Sequence, residues 1–249
     1  LILQEHSETI DGLFRNKVKV IQASKGYRVS EDAIFLTWFV RPQEGDLILD
    51  AGAGCGVIAF GLVMKNPSVK VVGLEIQEGL IGRAQRGVIL NNLVSKVFML
   101  RGDLRKADLF FRPHTFNMVV SNPPYYQSGS GRVSSLSEKA LSRHQIMMPL
   151  TDLFLVSSRL LKPTGRFCLI YPANGSDQLD RAAALSGLKI NRKLWIHTHE
   201  ESEPVLLCVE ACQSTEDKYL TEDRICLYHS NNVRTPQAEA ILAGEEFVF

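Results

Sequence analysis

Leu47-Ile48-Leu49-Asp50-Ala51-Gly52-Ala53-Gly54-Cys55-Gly56 decides the architecture. Its first half is a short apolar run closed by an acid, which reads as a buried strand. Glycines then alternate with small residues, and an apolar helical segment follows from Val57 to Met64. Strand, glycine turn and helix in that order are the setting that gives such a motif meaning. Glycine permits positive φ and lets backbone approach a ligand closely. The pattern departs from GxGxxG, because its glycines alternate and Asp50 stands ahead of them. A second strand, Lys70 to Leu74, ends in Glu75, about twenty residues on, where an acid grips ribose hydroxyls. A plain surface carboxylate is the competing reading of Glu75.

The same alternation continues downstream. A helix is predicted over roughly Gly79 to Asn91, with Arg83 and Arg86 outward, then a third strand, Val97 to Leu100. That strand runs into Arg101-Gly102-Asp103-Leu104. Asp103 suits a hydrogen bond from a purine amino group, and equally a turn or helix cap. A fourth strand, Phe116 to Val120, delivers Ser121-Asn122-Pro123-Pro124-Tyr125-Tyr126. Two prolines remove two backbone donors and set two φ angles, so strand and helix both stop there. A polar amide and an aromatic ring are presented on a stiff turn at the carboxyl end of a strand, where open α/β sheets hold ligands.

Such a turn suits attack by a planar, conjugated amino group, whose delocalised lone pair makes it a poor nucleophile. The Asn122 side-chain oxygen and the Pro123 carbonyl can accept both amine hydrogens. That favours a tetrahedral nitrogen with a localised lone pair, which is electrostatic preorganisation for the transition state. Tyr125 can stack on a flat base and hold it for in-line attack. The alternative is a structural Pro-Pro turn capped by Asn122, with the tyrosines filling a groove.

The rest of the chain frames this region. The 249 residues carry a net charge of +1, so no global basic field points to nucleic acid, though a local patch is compatible with it. An apolar fraction of 45% is ample for a packed core. The five cysteines are scattered without a CxxC pair, which speaks against a zinc site or a disulfide framework and for reduced thiols. No apolar run approaches the roughly 20 residues of a membrane span. The opening LILQEHSE lacks a basic region and cleavage site, so no secretory leader and a cytoplasmic location are expected.

Upstream of the glycine turn, Val18 to Ile21 reads as a strand and Asp11-Gly12 as a turn. Arg15, Lys17, Lys19, Lys25 and Arg28 are a solvated face or a phosphate-contacting one. Ser30 reads as an N-cap ahead of Glu31, Asp32 and an apolar helix ended by Arg41-Pro42. Downstream, residues 127–145 are rich in Ser and Gly and read as a mobile loop over the site, with Arg132, Lys139, Arg143 and His144. A helix from Thr151 or Asp152 to Leu161 stops at Lys162-Pro163-Thr164-Gly165, and Arg166 to Tyr171 is a fifth strand. Another helix spans about Asp177 to Ser186. Lys189 to His197 and Pro204 to Cys212 read as a terminal hairpin. The polar tail has one helix, Pro236 to Ala243. No second domain is evident, so residues 1–249 are expected to form one domain, with 1–44 an extension packed on it.

Asp50 through Gly56, Glu75, Asp103 and Asn122-Pro123-Pro124-Tyr125 stand in the order found in class I S-adenosylmethionine-dependent methyltransferases, and the chain resembles them. The Asn-Pro-Pro-Tyr form resembles the amino-methylating branch. Gln22 through Phe35, QASKGYRVSEDAIF, is similar to a segment of the bacterial tRNA (valine) adenine-N6 methyltransferase family. The resemblance implies a Rossmann-like α/β fold: a seven-stranded, mostly parallel sheet, its last strand antiparallel, with helices on both faces. It implies S-adenosylmethionine held by Ser30, Asp32, Asp50, Gly52, Gly54, Gly56, Glu75, Ile76, Asp103, Leu104 and Asn122. It implies tRNA as partner, Asn122, Pro123, Pro124 and Tyr125 at the reacting amine, and Tyr125, Tyr126, Arg143 and His144 on the substrate. No metal is called for, and Cys55 inside the loop leaves the flanking glycines intact. Ribosomal RNA guanine-N2 and protein glutamine-N5 methyltransferases share the turn. The former often carry Phe at its last position and an added domain. The latter usually have a helical domain ahead of the fold, and the segment before the glycine loop here is too short for one. DNA adenine methyltransferases need a large target-reading insert, and no segment here is long enough. A non-catalytic S-adenosylmethionine or RNA-binding module would need neither Asn122 nor Tyr125.

Overall fold

The computed structural model describes residues 4–5, 7–25, 28–124, 148–213 and 220–245. An antiparallel hairpin comes first, β1 (Glu8–Leu13) with β2 (Val18–Ala23). The main sheet is built from β3 (Leu47–Ala51), β4 (Lys70–Glu75), β5 (Val97–Arg101), β6 (Phe116–Ser121), β7 (Leu161–Pro172), β8 (Lys189–His197), β9 (Pro204–Cys212) and β10 (Thr221–Cys226). Its order is β10-β8-β9-β7-β6-β3-β4-β5. Strands β3 to β7 run parallel, and β9 runs against both neighbours.

The central strands are apolar along their whole length because both faces are covered. Ile48, Val71, Met118, Val120 and Ile170 face one cluster with α1 (Glu31–Phe39), α2 (Val57–Lys65), α3 (Glu78–Leu90) and α6 (Pro236–Ala243). Leu49, Leu74, Phe116, Val119 and Phe167 face the other, with α4 (Leu150–Leu160) and α5 (Ser176–Leu185). The chain is therefore a Rossmann-like α/β fold with helices on both faces, and its elements begin and end close to the expected residues.

The sheet is one strand longer than the seven expected. β10 adds to the edge beside β8, and its residues, Thr221-Glu222-Asp223-Arg224-Ile225-Cys226, lie in the stretch whose composition predicts a polar tail. An edge strand faces solvent along one side, so charge replaces apolar alternation and discourages further pairing. Two turn readings are also corrected. Asp11 and Gly12 lie inside β1, paired with Val20 and Lys19. The reversal instead uses Phe14, Arg15 and Asn16, all at positive φ. Lys162 to Gly165 belong to β7, at an irregularity where the pairing to β6 jumps from Leu161 to Arg166.

Candidate active site

Chain direction across the sheet sets the site. From β3 the chain moves outward through β4 to β5, then returns to place β6 on the other flank of β3. Strand order reverses at β3 and β6, and ligands bind at such a switch point beyond the carboxyl ends. Register carries the detail. Ala51 pairs with Leu74 on one side, and Asp50 pairs with Val120 on the other. One residue further, Gly52 stands between Glu75 and the start of the Asn122 turn. The two strand ends are tied together by the buried Ser121 hydroxyl, which donates to the Ala51 carbonyl at 2.7 Å. Ser121 has no motif of its own, and its place next to Asn122 is the only signal the sequence holds for this role.

The glycine turn has a conformation its composition makes cheap. Gly52, Gly54 and Gly56 adopt φ of 81°, 56° and 88°. A Cβ on Gly52 or Gly54 would meet nothing within 4 Å, so those hydrogens border open space. A Cβ on Gly56 would strike the side chains of Phe60 in α2 and Met99 in β5, so the start of α2 packs as it does only with glycine there. The Gly52 and Ala53 N–H groups donate to the Leu74 carbonyl, at 2.9 and 3.1 Å, closing the turn onto β4.

Carboxylates line the turn at two depths. Glu75 is nearly buried, and its oxygens accept from Gly54 N–H at 3.0 Å and Gln77 N–H at 2.8 Å. It therefore holds the glycine turn and the entrance to α3 in one geometry. Asp50 is wholly buried; one oxygen accepts from Ala59 N–H at 3.2 Å and the other has no partner among the described residues. Burial pushes the Asp50 carboxyl up to about 7; the Ala59 bond opposes the shift and the Glu75 charge adds to it. Burial likewise lifts the Cys55 thiol to about 11, with Arg83 opposing. Cys55 is thus no nucleophile at neutral pH.

Asp103 follows β5 and caps the 3₁₀ turn Leu104–Leu109. It accepts from Arg105 N–H at 2.9 Å and pairs with the Arg105 guanidinium at 2.8 Å. Those bonds hold its carboxyl below the ordinary range. The capping alternative is thus what the geometry contains, while Asp103 still stands at the strand end next to Glu75. Leu104 and Ile76 are half-buried beside it, and Asn122 and Pro123 are half-buried at the end of β6 with Pro124 exposed. Ser30 occupies the N-cap position of α1 without a side-chain cap bond, and Asp32 lies in the first turn. Tyr125, Tyr126, Arg143, His144 and the whole segment 127–145 lie outside the described residues, as does Gly26-Tyr27.

The expected surface arginines are engaged. Arg83 and Arg86 hold the buried Glu8 carboxylate of β1, at 2.9 and 2.7 Å, which clasps the hairpin onto α3 beside the glycine turn. Gln22 accepts from Val29 N–H at 2.6 Å and donates to Asp11, tying the segment ahead of α1 to the hairpin. Of the N-terminal basic cluster, Arg15 pairs with Glu245 and Arg28 with Asp11.

These residues fit a nucleoside-bearing cofactor such as S-adenosylmethionine. Two glycines leave the room that a Cβ would fill, and a carboxylate sits one strand away. Among the described residues, no helix is long and apolar enough to cross a membrane and no three His, Cys, Asp or Glu are grouped to hold a metal.

Known proteins resemble this chain in sequence and in fold. A protein named tRNA1(Val) (adenine(37)-N6)-methyltransferase from Tolumonas auensis is 26% identical over 221 residues, covering 88% of this chain and 89% of its own. One of the same name from Bacteroides thetaiotaomicron is 29% identical over 183 residues, covering 71% and 73%. The crystal structure of a predicted O-methyltransferase from Agrobacterium tumefaciens superposes with a TM-score of 0.67 at 18% identity, covering 86% of this chain and 96% of that one. At that identity the likeness is one of fold. The model of a family described as a methyltransferase domain matches residues 42–224, from just ahead of β3 into β10. The chain belongs to that methyltransferase domain family.

Proposed function

We propose that this chain is an S-adenosylmethionine-dependent N-methyltransferase acting on adenine N6 in tRNA. The observation that carries the reading is the exit of Asn122-Pro123-Pro124 from β6 at the same sheet end as the glycine turn, with the two strands joined through Ser121 and Ala51. The names of the Tolumonas and Bacteroides relatives supply the base and the RNA class.

S-adenosylmethionine, when bound, supplies an electrophilic sulfonium methyl. The protein's task is to bind, orient and reshape the acceptor. Gly52 and Gly54 would admit the cofactor, Glu75 would meet its ribose, and Ile76, Ser30 and Asp32 would complete that wall, while Asp50, wholly buried, would support the turn from beneath through the Ala59 N–H. Asp103 and Leu104 would flank the cofactor's adenine. The Asn122 side-chain oxygen and the Pro123 carbonyl accept the two hydrogens of the exocyclic amine and draw its nitrogen toward tetrahedral geometry. Tyr125 stacks on the target base, with Tyr126, Arg143 and His144 on the RNA. The base must leave its stack to reach this turn. The chain acts as one domain with residues 1–44 packed on it, in the cytoplasm where tRNA is found.

The test is incubation with labelled S-adenosylmethionine and total tRNA, followed by mass spectrometry of the nucleosides. N6-methyladenosine is the expected product. Label in guanosine or in protein would replace the reading with the guanine-N2 or glutamine-N5 reaction. Tight cofactor binding without any transfer would leave a binding module. Asn122→Ala should cut turnover about 100-fold, with cofactor affinity nearly unchanged. Near-normal turnover in that variant would remove the mechanism.

A further inference from the structure

Among the described residues, no helix lies over one strip of the sheet. Val97 and Met99 of β5 are buried in the cluster with α2 and α3. Phe98 and Leu100, on the opposite face, are 45% and 38% exposed. The reason is the connection to β6, which is the 3₁₀ turn 104–109 in place of a full helix. Phe110 leaves that turn and extends the strip. A Cβ on Gly102 would meet the Phe110 ring at 2.6 Å and Leu74 at 2.8 Å, and Leu74 is the register partner of Leu100. Beside it, an open cavity of about 550 Å³ is bounded by Leu109, Phe110, Phe111, Arg112 and Arg159.

The rim of this strip is positive. Lys70 has the parity of Val72 and Leu74 on β4, and Lys96 that of Phe98 on β5, while Lys106 and Arg112 belong to the 3₁₀ segment and its exit. Among the described residues Lys70, Lys96 and Arg112 make no ion pair with a carboxylate, and Lys106 acts at longer range on Asp103, whose contact partner is Arg105. The nearby acids are already paired: Asp103 with Arg105 at 2.8 Å, Asp108 with Arg159 at 2.8 Å and Glu78 with Arg101 at 3.1 Å. On a chain of net charge +1, an aromatic floor with an unneutralised basic rim is a local concentration of charge. Flat rings flanked by cations are what single-stranded nucleic acid requires, bases on the rings and phosphates on the cations. The upper end adjoins Gly102 and Asp103, and β5 runs about 15 Å away from there.

We infer that this strip is a second RNA contact, holding unpaired nucleotides of the substrate away from the base being modified. The inference rests on the reading of the protein as an RNA methyltransferase. Its test uses the full chain, total tRNA and two independent changes, Phe98→Ser and the pair Lys96→Glu with Arg112→Glu. Affinity for tRNA is measured by fluorescence anisotropy over a salt series. Each change should weaken binding about tenfold, and the charge pair should flatten the slope of log affinity against log salt by about 1.4. Affinity for S-adenosylmethionine should stay at the wild-type value. Wild-type tRNA affinity and salt slope in both variants would overturn the inference, as would a wild-type chain that binds no tRNA. So would a wild-type dimer that the variants dissociate without loss of RNA affinity, since a second copy would then cover the strip. Nucleoside analysis of the same reactions separates the two readings. RNA bound through the strip without N6-methyladenosine removes the methylation reading alone. N6-methyladenosine made by variants of undiminished affinity removes the strip alone.

Discussion

Glu75 shows how one side chain at a strand end holds two backbone segments at once. Its two oxygens accept from Gly54 and Gln77 N–H. Glutamine has one acceptor and turns an amide against the second N–H. Glu75→Gln should therefore lower S-adenosylmethionine affinity at least tenfold, measured by calorimetry, with the far-ultraviolet spectrum unchanged. Asp50 gives a pH signature. Its folded carboxyl is raised from 3.8 to about 7, chiefly by burial, so the folded chain holds a proton the unfolded chain has released. Folded stability relative to Asp50→Asn should thus fall as pH climbs from about 4 to about 7, then level off. Denaturant melts of both proteins across that range measure it, and a flat difference would show that Asp50 is ionised in the fold. Glu75 and the glycines were legible because each sits at a strand end of fixed spacing. That Asp50 would be sealed under α2 was not, since burial depends on what the later helices cover.

At the level of elements, the two contacts that position the site come from residues with no motif of their own. Ser121 ties β6 to β3, and Ser121→Ala should cost about 1 kcal/mol and lower turnover severalfold by loosening the Asn122 turn. A thermal melt together with steady-state kinetics checks both halves. Glu8 clasps the β1–β2 hairpin to α3. Burial would raise its carboxyl, but Arg86, the Glu5 N–H and Arg83 outweigh burial and hold it below its ordinary 4.5. The clasp is therefore complete above that pH and is lost as pH falls through the lower folded value. Glu8→Ala should destabilise the chain by about 1–3 kcal/mol near neutrality, and much less in acid. Arg83 and Arg86 looked like solvated helix charges because their partner lies some 75 residues earlier. Asp11-Gly12 looked like a turn for a related reason: short-range turn chemistry was outweighed by the pairing of β1 with β2 along their full length.

For the molecule as a whole, the C-terminal segment is part of the core. Ile225 and Leu227 are buried from β10 onward, and α6 sends Ala238 and Ile241 into the cluster that holds α1. Helix α6 is capped at both ends, by Thr235 accepting from Ala238 N–H at 3.2 Å and by Gly244 at φ 68°. Ending the chain at residue 219 should cost several kcal/mol from these apolar side chains alone. The measurement is a denaturation midpoint, and a truncated chain as stable as the full one would show that β10 and α6 are dispensable. By itself the sequence determined the alternation of strand and helix, the glycine turn, the acids one strand apart and the Asn-Pro-Pro turn. All of these depend on local periodicity, backbone restrictions and spacing along the chain. Tertiary structure alone decided that β6 lies against β3, that an edge strand of charged residues completes the sheet, and that Glu8 meets Arg83 and Arg86. Those outcomes depend on which surfaces remain to be buried once the sheet has closed, and no local stretch of chain contains that information.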